Sequence, residues 1–185
     1  MSKELRYNEV SMKASHNSYA KEENIVEQLV WNPKKDYNSG CRALEFDIRQ
    51  SDDGQAWSVE HLALHYREND KQLREYLTAL NLWSHQNPDH DVITIFLDLK
   101  KTTGEKIFPV QLDSYIKACI PAQHIYTPGN ILKDGLSLAQ SVEAAGGMPL
   151  LKDLQGKFIF CLAGNEEDKQ LYLNADSTFR SCFVE

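Results

Sequence analysis

The run Val92-Ile93-Thr94-Ile95-Phe96-Leu97-Asp98-Leu99 constrains the fold more than any other segment of this chain. A strand with one wet face alternates apolar and polar residues. This run is apolar on both faces until its end, the pattern of a parallel strand sandwiched between helices and a barrel interior. Its single carboxylate, Asp98, falls at the C-terminal end. In (β/α) barrels that end lines the open mouth, where chemistry is done.

The rest of the chain alternates short apolar runs with amphipathic segments, which predicts βα units. Further strands are expected from Val10 to Ser18, Arg42 to Arg49, Trp57 to Tyr66 and Phe158 to Leu162, with a sixth beginning near Cys182. One helix is expected from about Lys71 to Gln86, with Leu73, Tyr76, Leu77, Leu80 and Trp83 on a single stripe. A second covers Ile107 to Ile120, with the stripe Phe108, Leu112, Tyr115, Ile116 and Cys119, and a third Ser137 to Ala145. Turn signals at Asn38-Ser39-Gly40, Asp52-Asp53-Gly54, Pro128-Gly129-Asn130 and Gly146-Gly147 separate the units. The fold class is therefore α/β, a partial or incomplete TIM-type (β/α) barrel of five to six parallel strands with outer helices. A closed barrel takes about 250 residues and eight strands. At 185 residues the chain reads as a single catalytic domain that stops before the last barrel strands. Open edges would favour self-association.

Composition narrows the partners. With 27 acidic against 20 basic residues and a formal net charge of −7, the chain repels a polyphosphate backbone, so nucleic acid is not an expected partner. No stretch approaches the roughly 18 to 20 uninterrupted apolar residues of a membrane span, so contact with lipid is expected to be peripheral. The start, Met1 to Tyr7, lacks the apolar core of a secretory signal, and a cytoplasmic location is expected as written. Cys41, Cys119, Cys161 and Cys182 include no C-x-x-C pair and read as small buried thiols rather than a zinc knot or disulfide framework.

Four expected strand ends in a row carry coordinating or titratable groups: His16 and Asn17, then Glu45 and Asp47, then His61 and His65, then Asp98. Glu45 and Asp47 are two apart in a strand, so their side chains leave the same face, opposite Leu44, Phe46 and Ile48. Two buried carboxylates side by side need a cation or a shared proton. Adding Asp98 and the amide oxygen of Asn17 gives an all-oxygen set suited to calcium, with magnesium less favoured. Each residue also has an ordinary reading. His16 could be a satisfied polar residue, and the Glu45/Asp47 pair a solvated face or an ion pair with Arg42 or Arg49. Their coincidence at successive strand ends is the signal.

At these positions the chain resembles a known family. Ala14-Ser15-His16-Asn17-Ser18-Tyr19 resembles the first signature of phosphoinositide-specific phospholipase C, and Gly40-Cys41-Arg42-Ala43-Leu44-Glu45-Phe46-Asp47 its second, nearly letter for letter. Trp57-Ser58-Val59-Glu60-His61 is similar to the strand bearing the family's second histidine, and Asp91 to Lys100 to the strand bearing its last metal carboxylate. The bacterial and fungal calcium-dependent branch is the most similar. Metal-free bacterial members carry arginine where Asp47 stands and lysine where Asp98 stands, so the resemblance implies a retained cation. It implies Asn17, Glu45, Asp47 and Asp98 as calcium ligands and His16 and His61 as the catalytic histidines, with His65 in reserve for His61. The implied activity is that of a calcium-dependent phosphoric diester hydrolase or lyase. It cleaves a phospholipid or inositol phosphodiester through a cyclic inositol phosphate. The family's headgroup-recognising side chains from later strands have no counterpart here, and incomplete as it is, the chain is expected to be a weak enzyme alone.

Two other readings stay open: a catalytically inactive module binding calcium or a headgroup, and a glycerophosphodiester phosphodiesterase or sphingomyelinase D-like enzyme sharing the histidine, glutamate and aspartate layout. Glycerophosphodiesterases usually open with His-Arg-Gly, where this chain has His16-Asn17-Ser18. A P-loop is excluded, because no serine or threonine follows Gly156-Lys157.

Overall fold

Two amphipathic helices and a set of apolar strands sort into layers in the computed structural model, which describes residues 4–60, 72–174 and 180–184. The elements are β1 (Ala14–Ser15), α1 (Ile25–Leu29), β2 (Ala43–Gln50), β3 (Trp57–Val59), α2 (Leu73–Gln86), β4 (Ile93–Lys101), α3 (Phe108–Cys119), α4 (Leu138–Ala144), β5 (Phe158–Gly164), α5 (Glu166–Leu173) and β6 (Cys182–Val184), with short 3-10 turns between them. Five strands run parallel in the order β1-β2-β4-β5-β6, and β3 lies antiparallel on β2. This is an α/β sheet of the (β/α)-barrel kind, and among the described residues it does not close.

The parallel strands bury one face completely. Leu44, Phe46 and Ile48 of β2, Ile93, Ile95 and Leu97 of β4, and Phe158, Phe160 and Leu162 of β5 are all 0% exposed. They join Leu73, Leu77 and Leu80 of α2 and Phe108, Leu112 and Ile116 of α3 in one core cluster. Both helical stripes therefore pack where their periodicity places them, each such side chain contributing about 1.5–3 kcal/mol by burial. The opposite, inner face carries a second apolar cluster at its lower end. There Val92, Leu151, Leu154 and Ile159 pack with Tyr7, Val10 and Met12 from the N-terminal segment. The Tyr7 hydroxyl meets the Thr94 hydroxyl at 2.7 Å. Above this plug β2 and β4 bring Glu45, Asp47 and Asp98 onto the inner face.

Two expectations are corrected. The first strand is Ala14–Ser15 alone, because Val10 and Met12 fill the lower inner face instead of extending the sheet. The Trp57 strand does not join the parallel set. Its link from Gln50 passes through the Asp52-Asp53-Gly54 turn, far shorter than the dozen or more residues of a parallel crossover, so it folds back as a hairpin. Helices α1 and α5 were not expected, being too short to show a stripe. His61 and His65 lie outside the described residues.

The last strand is tied down by a buried polar knot. Asp113 of α3 accepts from the Tyr172 hydroxyl at 2.6 Å, from Ser181 N at 3.0 Å and from Arg180 Nη1 at 2.8 Å. Cys182 N in turn donates to the Tyr172 oxygen at 3.0 Å. All four cysteines are free, three buried and Cys161 half-buried. No helix among the described residues is long and apolar enough to cross a membrane.

Candidate metal and catalytic site

Strand periodicity and register together build the site. Glu45 and Asp47 project from the inner face of β2, because Leu44, Phe46 and Ile48 take the helix face. Asp98 is the direct register partner of Asp47 on β4, so it leaves the same face at the same height. One carboxylate oxygen from each of Glu45, Asp47 and Asp98 lies within 4.8 Å of the others. The trio is not at the strand tips. β2 runs on to Gln50 because β3 folds back to pair with Ile48, Arg49 and Gln50. β4 likewise continues to Lys101.

The fourth expected ligand comes from the turn after β1. Asn17 adopts φ 48°, the left-handed region, and among the described non-glycine residues it alone has a positive φ. Asparagine tolerates that conformation better than most residues, and such strain collects at functional positions. The turn is held from below by the buried Gln28, which accepts from Ser15 Oγ at 2.6 Å and donates to Ser18 O at 2.9 Å. It is held to β2 by Ser18, whose hydroxyl accepts from Glu45 N at 3.0 Å. So positioned, Asn17 N donates to Glu45 Oε2 at 2.5 Å. His16, beside it, is exposed.

Two residues not expected from the sequence complete the arrangement. The Tyr19 hydroxyl donates to Asp47 Oδ2 at 2.6 Å and lies 3.4 Å from Asn17 Oδ1. Burial, then the Asp47 contact and charge, raise the Tyr19 pKa, so the phenol stays protonated and donates. Tyr19 also lines a cavity of about 370 Å³ with Ser18, Glu22, Glu75 and Tyr76. Lys100 places its ammonium 2.6 Å from Asp98 Oδ2 and 3.0 Å from Asp47 Oδ1. Burial alone would lower the Lys100 pKa, but its bonds to Asp98 and Asp47 outweigh that and raise it. A periodicity signal was present in the sequence for Lys100 alone. It falls two residues after Asp98 on the same strand, whereas Tyr19 falls two residues after Asn17 in a turn.

Glu45 is the strained member of the trio. Burial raises its pKa, and the charges of Asp47 and Asp98 add to the rise against the opposing pull of the Asn17 N–H and His16. Arg42 and Arg49 do not neutralise it. Arg42 bonds Asp91 at 3.2 Å, and Arg49 lies 4.0 Å from Glu60. The donor set fits calcium, whose ligands at 2.3–2.6 Å can stand up to about 5 Å apart across the ion. It is all oxygen and offers no thiolate or imidazole for a softer metal.

Comparison with known proteins bears on the family and the fold. The family model described as phosphoinositide phospholipase C, Ca2+-dependent, matches residues 57–185. None of the curated proteins compared matches the chain. Among solved structures, the calcium-dependent phosphoinositol-specific phospholipase C of a Gram-negative Pseudomonas superposes with TM-score 0.75 at 22% identity, over 97% of this chain and 66% of that one. Its myoinositol complex gives TM-score 0.77, also at 22% identity, over 100% of this chain and 67% of that one. The Ca2+-dependent phosphatidylinositol-specific enzyme of Streptomyces antibioticus gives 0.68 at 22% identity, over 94% and 64%. At such identity the superpositions bear on the fold. The chain spans 66% of the length of the Pseudomonas protein.

Proposed function

We propose, from the premise that this chain belongs to the Ca2+-dependent phosphoinositide phospholipase C family, that it carries the cation-binding and acid/base part of a phosphoric diester cleavage site. The observation that carries this reading is the convergence of Glu45, Asp47 and Asp98 within 4.8 Å on one face of two adjacent parallel strands. Like charges at that spacing repel, and a divalent cation is the partner that oxygen ligands of this kind accept.

Glu45, Asp47, Asp98 and the Asn17 amide oxygen would hold calcium. Bound there, the ion would supply charge neutralisation of the phosphate and a lower pKa for the attacking inositol 2-hydroxyl, whose proton would pass to the Glu45 carboxylate, the member of the trio with a pKa raised by burial. Tyr19 keeps Asp47 oriented through its short hydrogen bond. His16, exposed at the turn, reaches out to the phosphate and stabilises the charge that gathers on its oxygens in the transition state. His61, with His65 as the second candidate, donates a proton to the leaving diacylglycerol oxygen; imidazole titrates near the working pH. The product is a cyclic inositol phosphate. The substrate is a phosphatidylinositol-type lipid met at the membrane surface, with no span inserted.

The test is release of inositol phosphate from phosphatidylinositol vesicles, with calcium and with chelator. Calcium-dependent release that His16→Ala abolishes supports the enzyme. Calcium binding without release at any calcium concentration would leave a binding module instead.

A further inference from the structure

Lys100 occupies a special place in the strand that carries Asp98. The β2–β4 register pairs Ile48 with Leu99 but Arg49 with Lys101, so β4 holds one residue more than its partner, and that residue is Lys100. A bulge of this kind leaves its extra residue unpaired and disrupts the ladder locally. Immediately before it, Leu99 pairs with Gly164, whose φ is +129° and where an added Cβ would lie 2.9 Å from the Leu99 carbonyl oxygen. The two strands approach closely there, and Lys100, two residues after Asp98, leaves the strand on the carboxylate face. Its ammonium bridges Asp47 and Asp98 at 3.0 and 2.6 Å. The neighbouring Lys101 points elsewhere, to Asp52 at 2.6 Å.

We propose that Lys100 is a tethered counter-cation that shares the carboxylate site with the divalent cation. In the metal-free protein its ammonium balances Asp47 and Asp98, and calcium binding requires it to withdraw, so that Lys100 sets the calcium affinity. The inference rests on the calcium reading of the trio and goes beyond it by making the metal compete with a side chain of the same strand. The physics is direct. An ammonium within 3 Å of the carboxylate oxygens holds the ground that a calcium ion at 2.3–2.6 Å must take, and two cations cannot share it. The long, flexible lysine stem allows the head to leave while the strand stays in place. Strand alternation aims the residue inward, beside Asp98, and the bulge leaves it out of the ladder.

The experiment measures calcium affinity by calorimetric titration and chelator-state melting for the wild type, Lys100→Met and Lys100→Arg. Lys100→Met should bind calcium roughly tenfold more tightly and melt lower in chelator, where the carboxylates are left unbalanced. Lys100→Arg should return both readouts toward the wild type. A second measurement needs no variant. Limited acetylation of the wild type followed by mass spectrometry should modify Lys100 faster in saturating calcium than in chelator, with Lys101 as the internal reference. Equal calcium affinity in wild type and Lys100→Met, or an acetylation rate at Lys100 indifferent to calcium, overturns the counter-cation while leaving the metal site standing. Absence of any calcium heat from the wild type overturns the metal reading itself and this proposal with it.

Discussion

Asp47 and Asp98 are register partners on adjacent parallel strands, yet Asp47 is almost fully buried and Asp98 half-buried. Asp47 is held by Tyr19 and Lys100, whereas Glu45, two residues before it, accepts among the described residues only the Asn17 N–H and carries a pKa raised by burial. The two β2 carboxylates therefore differ in what their removal should do. Glu45→Gln and Asp47→Asn should both weaken calcium binding. In chelator, Glu45→Gln should melt at or above the wild type near pH 7, because the folded state no longer holds a charge it disfavours. Asp47→Asn should lose about 1–3 kcal/mol through its two charged hydrogen bonds. Melting curves of both variants with chelator check the split. Equal chelator stability of the two would mean that Lys100 and Tyr19 do not hold Asp47.

The Asp113 knot should matter to folding rather than to chemistry. Its carboxylate accepts from Tyr172, Ser181 and Arg180, joining α3 to α5 and β6 with almost no access to water. Replacing one member of a buried ion pair leaves the other charge uncompensated, at a cost of about 3–5 kcal/mol. Asp113→Asn should lower the denaturant midpoint accordingly, while Tyr172→Phe, which removes a neutral hydroxyl, should cost about 1–3 kcal/mol. Calcium affinity should stay unchanged in any variant that folds.

Much of the site was legible because β periodicity and parallel register are rigid rules. Glu45 and Asp47 share a face by their spacing, and Asp98 joins them once β4 lies beside β2 in parallel. Lys100 shares that face by the same spacing from Asp98, but its place in a bulge, a two-against-one mismatch decided by the partner strand, was not legible. Tyr19 was hidden for a related reason: a 3-10 turn after the left-handed Asn17 brings it back to Asp47. Val10 and Met12 read as strand from their apolarity alone. Whether an apolar residue pairs in a sheet or plugs its face depends on neighbours far along the chain, here Leu151 and Leu154. The Asp52-Asp53-Gly54 turn was visible, but that its shortness forces β3 to run antiparallel follows only once Trp57 is placed against β2.

His90 gives the fold a pH dependence with a definite sign. Its ring meets Ser84 Oγ at 2.9 Å and the Asp91 carbonyl at 2.7 Å, and packs on Trp83 and Phe158. Burial holds its pKa below the ordinary value of 6.5; Arg42 and His124 add to the effect, and Asp91 opposes it. The unfolded chain therefore binds a proton between the two values that the folded chain refuses, so stability falls as pH drops through that window and levels off below the folded value. His90→Asn should be less stable throughout but should lose less between about pH 7.5 and about pH 5.5 than the wild type. Denaturant titrations at the two pH values check this, and parallel losses in the two proteins would assign the slope to another group.

Asn17 offers the sharpest separation of backbone from side chain. Its φ of 48° aims its N–H at Glu45, while its amide oxygen is the expected fourth calcium ligand. Glycine adopts that conformation without penalty, so Asn17→Gly should keep the turn and the 2.5 Å contact to Glu45 while deleting the ligand oxygen. Asn17→Ala deletes the same oxygen and also forces a Cβ-bearing residue lacking a polar side chain into the left-handed region, at about 1–2 kcal/mol. Calcium affinity should therefore fall in both variants, but chelator-state stability should fall appreciably in the alanine variant alone. Should Asn17→Gly bind calcium as tightly as the wild type, the amide oxygen is no ligand and the role of Asn17 is confined to placing Glu45 through its backbone.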